Sequence, residues 1–234
     1  MNTPLLLITA TAQEASLLRD TVDSLTPQPF PLGDLYLARW GRLEFYLAHL
    51  GVAKVNTAAG LALAIDRLKP RTVLQFGIGG AYVGSFLSIG MIAAAEQEIH
   101  IDTGVATEQG WQGMAALGFP LLGDDYYNLF PTDKALLDRL VSSLGATPAI
   151  FGTSETVTGS FDAAAELQAR FDLSIESMEG AAAAQVCAAY GVAFGELRGV
   201  SNIVGERDKV RGWDIPVAVR AVNQGVLRLL NDLR

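Results

Sequence analysis

Two glutamates stand where the chain leaves an apolar run, and both could act on a water or an alcohol. The stretch TATAQEASLLRD carries Glu14 just after the first apolar segment. A carboxylate in the first turn of a helix gains from the helix dipole, which is a sufficient structural reason for it. The chemical reading is a general base holding a water. The stretch IESMEGAAAAQVC places Glu179 between Met178 and an alanine run. Alanine is the best helix former, so a buried helix starts there. A buried carboxylate is costly unless something pairs with it. Either a structural partner such as Arg198 is inside, or a ligand with two hydroxyl donors, a vicinal diol such as a ribose, is received there.

A third segment, LRGVSNIVGERD, brings Arg198, Ser201 and Asn202 together on a late strand. An asparagine side chain has both a donor and an acceptor. It can read a 6-oxopurine edge, which offers an acceptor oxygen beside a ring nitrogen. It can equally cap a turn. The run FGIGGAY puts Gly77, Gly79 and Gly80 after an apolar strand. Glycines there allow close approach of a ligand or of a neighbouring element. No Gly-Lys-Ser/Thr follows, so this is not a phosphate-binding P-loop. The spacing is also wrong for a dinucleotide fingerprint.

These residues need elements to position them. PLLLITAT reads as a buried first strand and QEASLLRDTVDSL as a helix. DLYLARWGRLEFYLAHLG reads as a hairpin turning at WGR, and VAKVNTAAGLALAIDRLKP as a helix stopped by Pro70. RTVLQFGIGGAY is a strand running into a glycine turn, and IGMIAAAEQEIHID a further strand. Residues 108–127 read as a long irregular connection. TDKALLDRLVSSLG is an amphipathic helix, PAIFGTSETVTG a strand and loop, and AAAELQARFD a helix. LSIESMEGAAAAQVCAAYG is a strand entering a helix, VAFGELRGVSNIV a strand, and IPVAVRAVNQGVLRLLNDLR a closing helix. Strands alternate with helices throughout, which predicts an α/β protein, one domain over 1–234, with a mixed central sheet flanked by helices. In such sheets ligands gather at the carboxyl ends of strands, where Glu14, the glycines, Glu179 and Asn202 all fall.

The 234 residues are half hydrophobic and 18% charged, which suits a large buried core. The formal net charge of −8 argues against nucleic acid or an anionic membrane as partner. One cysteine, Cys187, excludes an internal disulfide and reads as a buried, inert thiol. Two histidines and one cysteine assemble no zinc-type cluster, so no metal and no cofactor is expected. No basic region precedes the short N-terminal apolar run and no apolar stretch is long enough to span a bilayer. A cytoplasmic location is the resulting expectation.

Taken together, the segments resemble the purine nucleoside phosphorylase and nucleosidase superfamily. The start with Glu14, the FGIGGAY run, the SMEGAA helix start and the RGVSN strand come in that family's order across nearly the whole chain. Within it the chain is similar to the futalosine hydrolases of an alternative menaquinone route, siblings of the methylthioadenosine/S-adenosylhomocysteine nucleosidases. The resemblance implies that Glu14 orients the attacking water. It also implies that Glu179 grips the ribose hydroxyls and that Met178 packs against the sugar. Arg198 and Ser201 keep their family places. Gly79, Gly80 and the backbone around Thr156, Val157 and Thr158 would contact substrate. Asn202 departs from the aspartate of the adenine-specific nucleosidases, which points to hypoxanthine as the base. Asp208 is a candidate helper in leaving-group protonation.

Phosphorylases of the superfamily hold phosphate with arginines and with a hydroxyl beside the glycines. Here Ile78 offers no hydroxyl and the first loop brings a carboxylate, which favours water. Arg39 and Arg42 keep a purine nucleoside phosphorylase open as the alternative, beside a methylthioadenosine nucleosidase and a non-catalytic nucleoside binder. Trp111, Phe119, Tyr126, Tyr127 and Phe130 form either an apolar lid over the 5′ end of the substrate or the packing of a long loop. The resemblance also implies a homodimer or a larger homo-oligomer.

Overall fold

The structure, a computed structural model, describes residues 5–205 and 212–233. The chain opens with β1 (Leu5–Thr9), a short 3-10 turn (Gln13–Ala15) and α1 (Ser16–Thr21). There follow β2 (Ser24–Gln28), β3 (Asp34–Trp40), β4 (Leu43–His49), α2 (Lys54–Leu68), β5 (Thr72–Ala81) and β6 (Ile92–His100). A small hairpin, β7 (Gly104–Thr107) with β8 (Gly110–Gly113), leads to α3 (Met114–Leu117) and β9 (Leu129–Pro131). The rest is α4 (Lys134–Leu144), β10 (Thr147–Thr153), α5 (Phe161–Phe171), β11 (Ile175–Ser177), α6 (Gly180–Tyr190), β12 (Ala193–Ile203) and α7 (Ile215–Asn231). No helix among the described residues is long and apolar enough to cross a membrane.

The expected α/β architecture with a mixed sheet is what the chain builds. Ten strands form one sheet, in the order β11-β10-β6-β12-β5-β1-β4-β3-β2, with β9 added on β6. β4, β1, β5 and β12 lie parallel to one another. β11 pairs antiparallel with β5 through Ile175–Ala81 and Glu176–Gly80. That pairing closes β5, β12, β6, β10 and β11 into a ring. β1 is covered on both faces, and its alternation shows it. Leu7 packs with Leu18 of α1, Leu140 of α4 and Val222 of α7, whereas Leu6 and Ile8 pack toward α2 and α6. Full burial of each such side chain contributes about 1.5–3 kcal/mol. α6 is apolar all round and buries four alanines and Cys187, as a helix lodged between sheet and α2 must. Burial pushes the Cys187 thiol pKa up, which keeps it protonated and inert.

Three local expectations are corrected. The first helix ends at Thr21, and SLTPQ is an edge strand against β3. Pro27 is tolerated there because an edge strand has one unpaired side. The glycine run makes no turn. Gly77, Gly79 and Gly80 continue β5, aligned with β12 through Arg198–Gly77, Val200–Gly79 and Asn202–Gly80. Residues 108–127, read as irregular, contain β8 and α3.

Candidate active site

A cavity of about 310 Å³ opens where β1, β5, β11 and β12 end, beside the start of α6. Glu14, Gly79, Gly80, Val157, Thr158, Met178, Glu179, Arg198, Ser201 and Asn202 all line it. Thr156 does not. It is exposed, and its N–H donates to Ser154 Oγ at 3.0 Å. Asp208 lies outside the described residues.

Glu14 is 7% exposed. Its Oε2 accepts from the Thr11 N–H at 2.9 Å and from the Thr11 hydroxyl at 3.3 Å, and its Oε1 from the Ile78 N–H at 3.1 Å. The backbone that carries it is held from behind. Asn223 of α7, fully buried, donates to the Glu14 carbonyl at 2.7 Å and accepts from the Leu18 N–H at 3.0 Å. Burial holds the Glu14 pKa above the ordinary carboxylate range; Arg198 opposes that shift and Glu179 adds to it.

The glycines now have a reason. A Cβ at Gly77 would lie 2.3 Å from Glu14 Oε1 and 2.9 Å from Arg198 Nη1. One at Gly80 would lie 3.0 Å from Asn202 Nδ2. Close approach does occur here, and the approaching groups are the site's own side chains.

Arg198 is the hub. It is 1% exposed and donates from Nε to Glu196 at 2.7 Å, from Nη1 to the Ile78 carbonyl at 3.0 Å, and from Nη2 to Glu179 at 3.2 Å. Glu14 Oε1 is 3.9 Å from Nη1. Burial works against the guanidinium charge, but Glu196, Glu179 and Glu14 outweigh it and raise the Arg198 pKa further. The Arg198–Glu179 pairing that the sequence allowed is therefore present, and it leaves Glu179 with acceptor capacity. The other Glu179 oxygen accepts from the Ala53 N–H at 3.1 Å. Ala53 has φ +80°, a conformation that costs a non-glycine residue about 1–3 kcal/mol and is held only where the surroundings demand it.

On β12 the Ser201 hydroxyl lies 3.2 Å from the Gly79 carbonyl and 2.8 Å from Asn202 Oδ1. The serine proton held on Oδ1 fixes the amide, so the Asn202 amino group remains as its donor end. Nδ2 makes a 3.2 Å bond to the Ile203 carbonyl.

Several residues of the site escaped the sequence reading. Glu176 receives the Tyr82 hydroxyl at 2.8 Å and the Thr158 N–H at 2.9 Å, which pins the Val157–Thr158 segment against the cavity. Glu196 and Asn223 are buried polar residues within apolar stretches, and that mismatch was the available signal. None of the five aromatics proposed as a lid lines the cavity. Trp111 packs on Phe171 at 5.3 Å, and Tyr126 stacks on buried Phe130 at 5.3 Å.

Gly180 opens α6 against this site from the other side. A Cβ there would come within 2.0 Å of Glu98 Oε1 and 2.3 Å of Glu196 Oε2. Gly180→Ala is expected to destabilise the protein by about 1–3 kcal/mol, the usual cost of overpacking. Urea unfolding would show it, and an unchanged midpoint would mean that the two carboxyl groups yield easily.

The model of the Phosphorylase superfamily matches residues 4–231. A futalosine hydrolase of Thermus thermophilus is 38% identical over 191 residues, covering 80% of this chain and 82% of the relative. A futalosine hydrolase of Acidothermus cellulolyticus is 32% identical over 235 residues, covering 98% and 91%. Among solved structures, an S-adenosylhomocysteine nucleosidase of Streptococcus pyogenes in complex with 5-methylthiotubericidin superposes with a TM-score of 0.86 at 22% identity. That superposition covers 100% of this chain and 98% of the other.

Proposed function

Since this chain belongs to the phosphorylase superfamily, we propose that it hydrolyses the N-ribosidic bond of futalosine and releases hypoxanthine. The coarser assignment, an enzyme that hydrolyses N-glycosyl bonds, rests on the nucleosidases among its relatives. The finer one is supported by three relatives above 30% identity that are futalosine hydrolases.

One observation carries the choice of water over phosphate. Among the described residues, Arg198 is the one arginine or lysine lining the cavity, and Glu196, Glu179 and Glu14 already surround it. A phosphate anion would meet carboxylates, and no described residue offers it a free cation. Arg39 is turned to Glu44 on the exposed hairpin, and neither it nor Arg42 lines the cavity.

In the proposed reaction the C1′–N9 bond lengthens first and the ribose takes on oxocarbenium character. Glu179 accepts hydrogen bonds from the ribose hydroxyls and steadies that positive charge, the kind of electrostatic contribution that is usually the largest in catalysis. Water bonds to C1′ and gives a proton to Glu14. The base leaves with the bonding pair and takes up a proton from solvent, and Glu14 gives its own proton back to solvent before the next turnover. Asn202 donates its amino group to the acceptor edge of the 6-oxopurine, with Ser201 fixing the amide. Val157 and Thr158 flank the base and Met178 the sugar. A homodimer or larger assembly belongs to the same proposal and is checked by light scattering.

The test is base release from purified protein offered futalosine, inosine and methylthioadenosine, without and with phosphate. Hypoxanthine from futalosine in the absence of phosphate is expected. Release from inosine only with phosphate would mean a phosphorylase. Adenine from methylthioadenosine would overturn the role given to Asn202, and tight binding without release would mean a nucleoside binder.

A further inference from the structure

Inside the ring of strands, behind the cavity, lie two carboxyl groups that the proposed reaction does not touch. Glu98 of β6 and Glu196 of β12 are both 0% exposed. Glu98 Oε2 accepts from the Thr153 hydroxyl at 2.7 Å. Thr153 Oγ1 itself accepts the Ala181 N–H at 2.8 Å, so its single proton is the one given to Glu98. Glu196 Oε1 accepts from Arg198 Nε. Glu98 Oε1 and Glu196 Oε2 are left without any other partner, and both crowd the point where a Gly180 side chain would begin.

Two ionised carboxylates cannot face each other in a space without water. One proton between the two orphan oxygens satisfies both. We propose that Glu98 and Glu196 share one proton and act as a positioning pair, presenting a single negative charge to Arg198. In this arrangement Glu98 carries the proton and donates it to Glu196 Oε2. Burial and then the Glu196 charge both raise the Glu98 pKa well above its ordinary value, in agreement with the geometry. The single charge locks the guanidinium by Nε, so that Nη2 meets Glu179 and Nη1 faces Glu14. It also leaves part of the Arg198 charge to favour the ionised form of Glu14.

The groups facing the pair are few. β12 supplies Arg198, β10 supplies Thr153, and α6 supplies only the backbone of Gly180 and Ala181. Gln75 of β5 lies beside Glu196 in register and is uncharged. On β6 itself, Glu96 is exposed to solvent and His100 is turned to Gln185, with burial pushing its pKa down to about 4. The significance of the pair for turnover rests on the proposed role of Glu14; its existence does not.

The experiment is carbon NMR of the whole protein with glutamate labelled at the carboxyl carbon. Glu98→Gln and Glu14→Gln assign the two resonances. Glu98 is expected to remain protonated at pH 7.5. Glu196→Gln removes one negative charge from Arg198, so the Glu14 midpoint is expected to fall by about one pH unit. Glu98→Gln keeps a neutral donor in place and leaves that midpoint where it was. A merely structural pair would alter stability without moving the midpoint. An ionised Glu98 at pH 7.5, or a Glu14 midpoint unmoved in Glu196→Gln, overturns the proposal. These readouts need no substrate, so a wild-type protein inert toward futalosine would refute the proposed function and leave the pair standing.

Discussion

Glu14→Gln is expected to lower turnover of futalosine by about 10²–10⁴-fold, the range general-base catalysis supplies, while a non-hydrolysable nucleoside analogue binds almost as before. The substitution keeps the volume of the side chain and an acceptor oxygen for one of the Thr11 and Ile78 N–H groups, which bond to different Glu14 oxygens. It removes the group that takes the proton from water. The pH dependence has a definite sign. The base works ionised, and burial holds the Glu14 pKa above the ordinary carboxylate range. Turnover therefore rises with pH through that raised pKa, and the acid limb lies above the value near 4.3 of a free glutamate. In Glu14→Gln that limb disappears. Single-turnover measurements from pH 4 to 8 separate this from binding. A variant that loses affinity but keeps its turnover would remove Glu14 from the role of base.

The second large effect concerns stability. Arg198→Met is expected to destabilise the fold by about 3–5 kcal/mol at neutral pH, the cost of leaving buried charge without its partner. The reason is the geometry around the guanidinium, which is 1% exposed with Glu196 at 2.7 Å, Glu179 at 3.2 Å and Glu14 at 3.9 Å. Methionine fills much of the volume and satisfies none of the carboxylates. Urea unfolding of the variant reads the loss directly. A loss below about 1 kcal/mol, the scale of an exposed ion pair, would show that the site is wetter than the burial implies. The double variant Arg198→Met/Glu196→Gln should recover part of the loss, because one uncompensated charge goes with it.

Much of this site was legible residue by residue. Glu14, Glu179, Arg198, Ser201 and Asn202 were singled out because polar groups at strand ends beside apolar runs ask for partners, and the structure brings all five to one cavity. Thr156 was misplaced because loop backbone direction depends on the Tyr82–Glu176–Thr158 clamp, whose members lie far apart in the chain. The glycine run was read as a turn because glycine often breaks strands. Here β12 pairs along it and Glu14 and Arg198 crowd it, so the strand continues.

The alternation of elements, the α/β class and the residue types available for chemistry are legible in the chain without its fold. These depend on local propensity and on periods of two and 3.6 residues, which any short window displays. Which carboxylates face one another is a matter of how distant strands pack. In AAAEQEIH, Glu96 and Glu98 are two residues apart and would share a face of a regular strand, so they look alike. Yet Glu96 is exposed and Glu98 is sealed against Glu196, 98 positions further along. The difference comes from a bulge at Glu96, where β6 advances from Ala95 to Gln97 against one step of β10 from Ala149 to Ile150, and from ring closure by the β11–β5 and β12–β6 pairings, which seals Glu98 inside. Such contacts are set by the packing of the whole sheet and leave no mark on the strand that carries them.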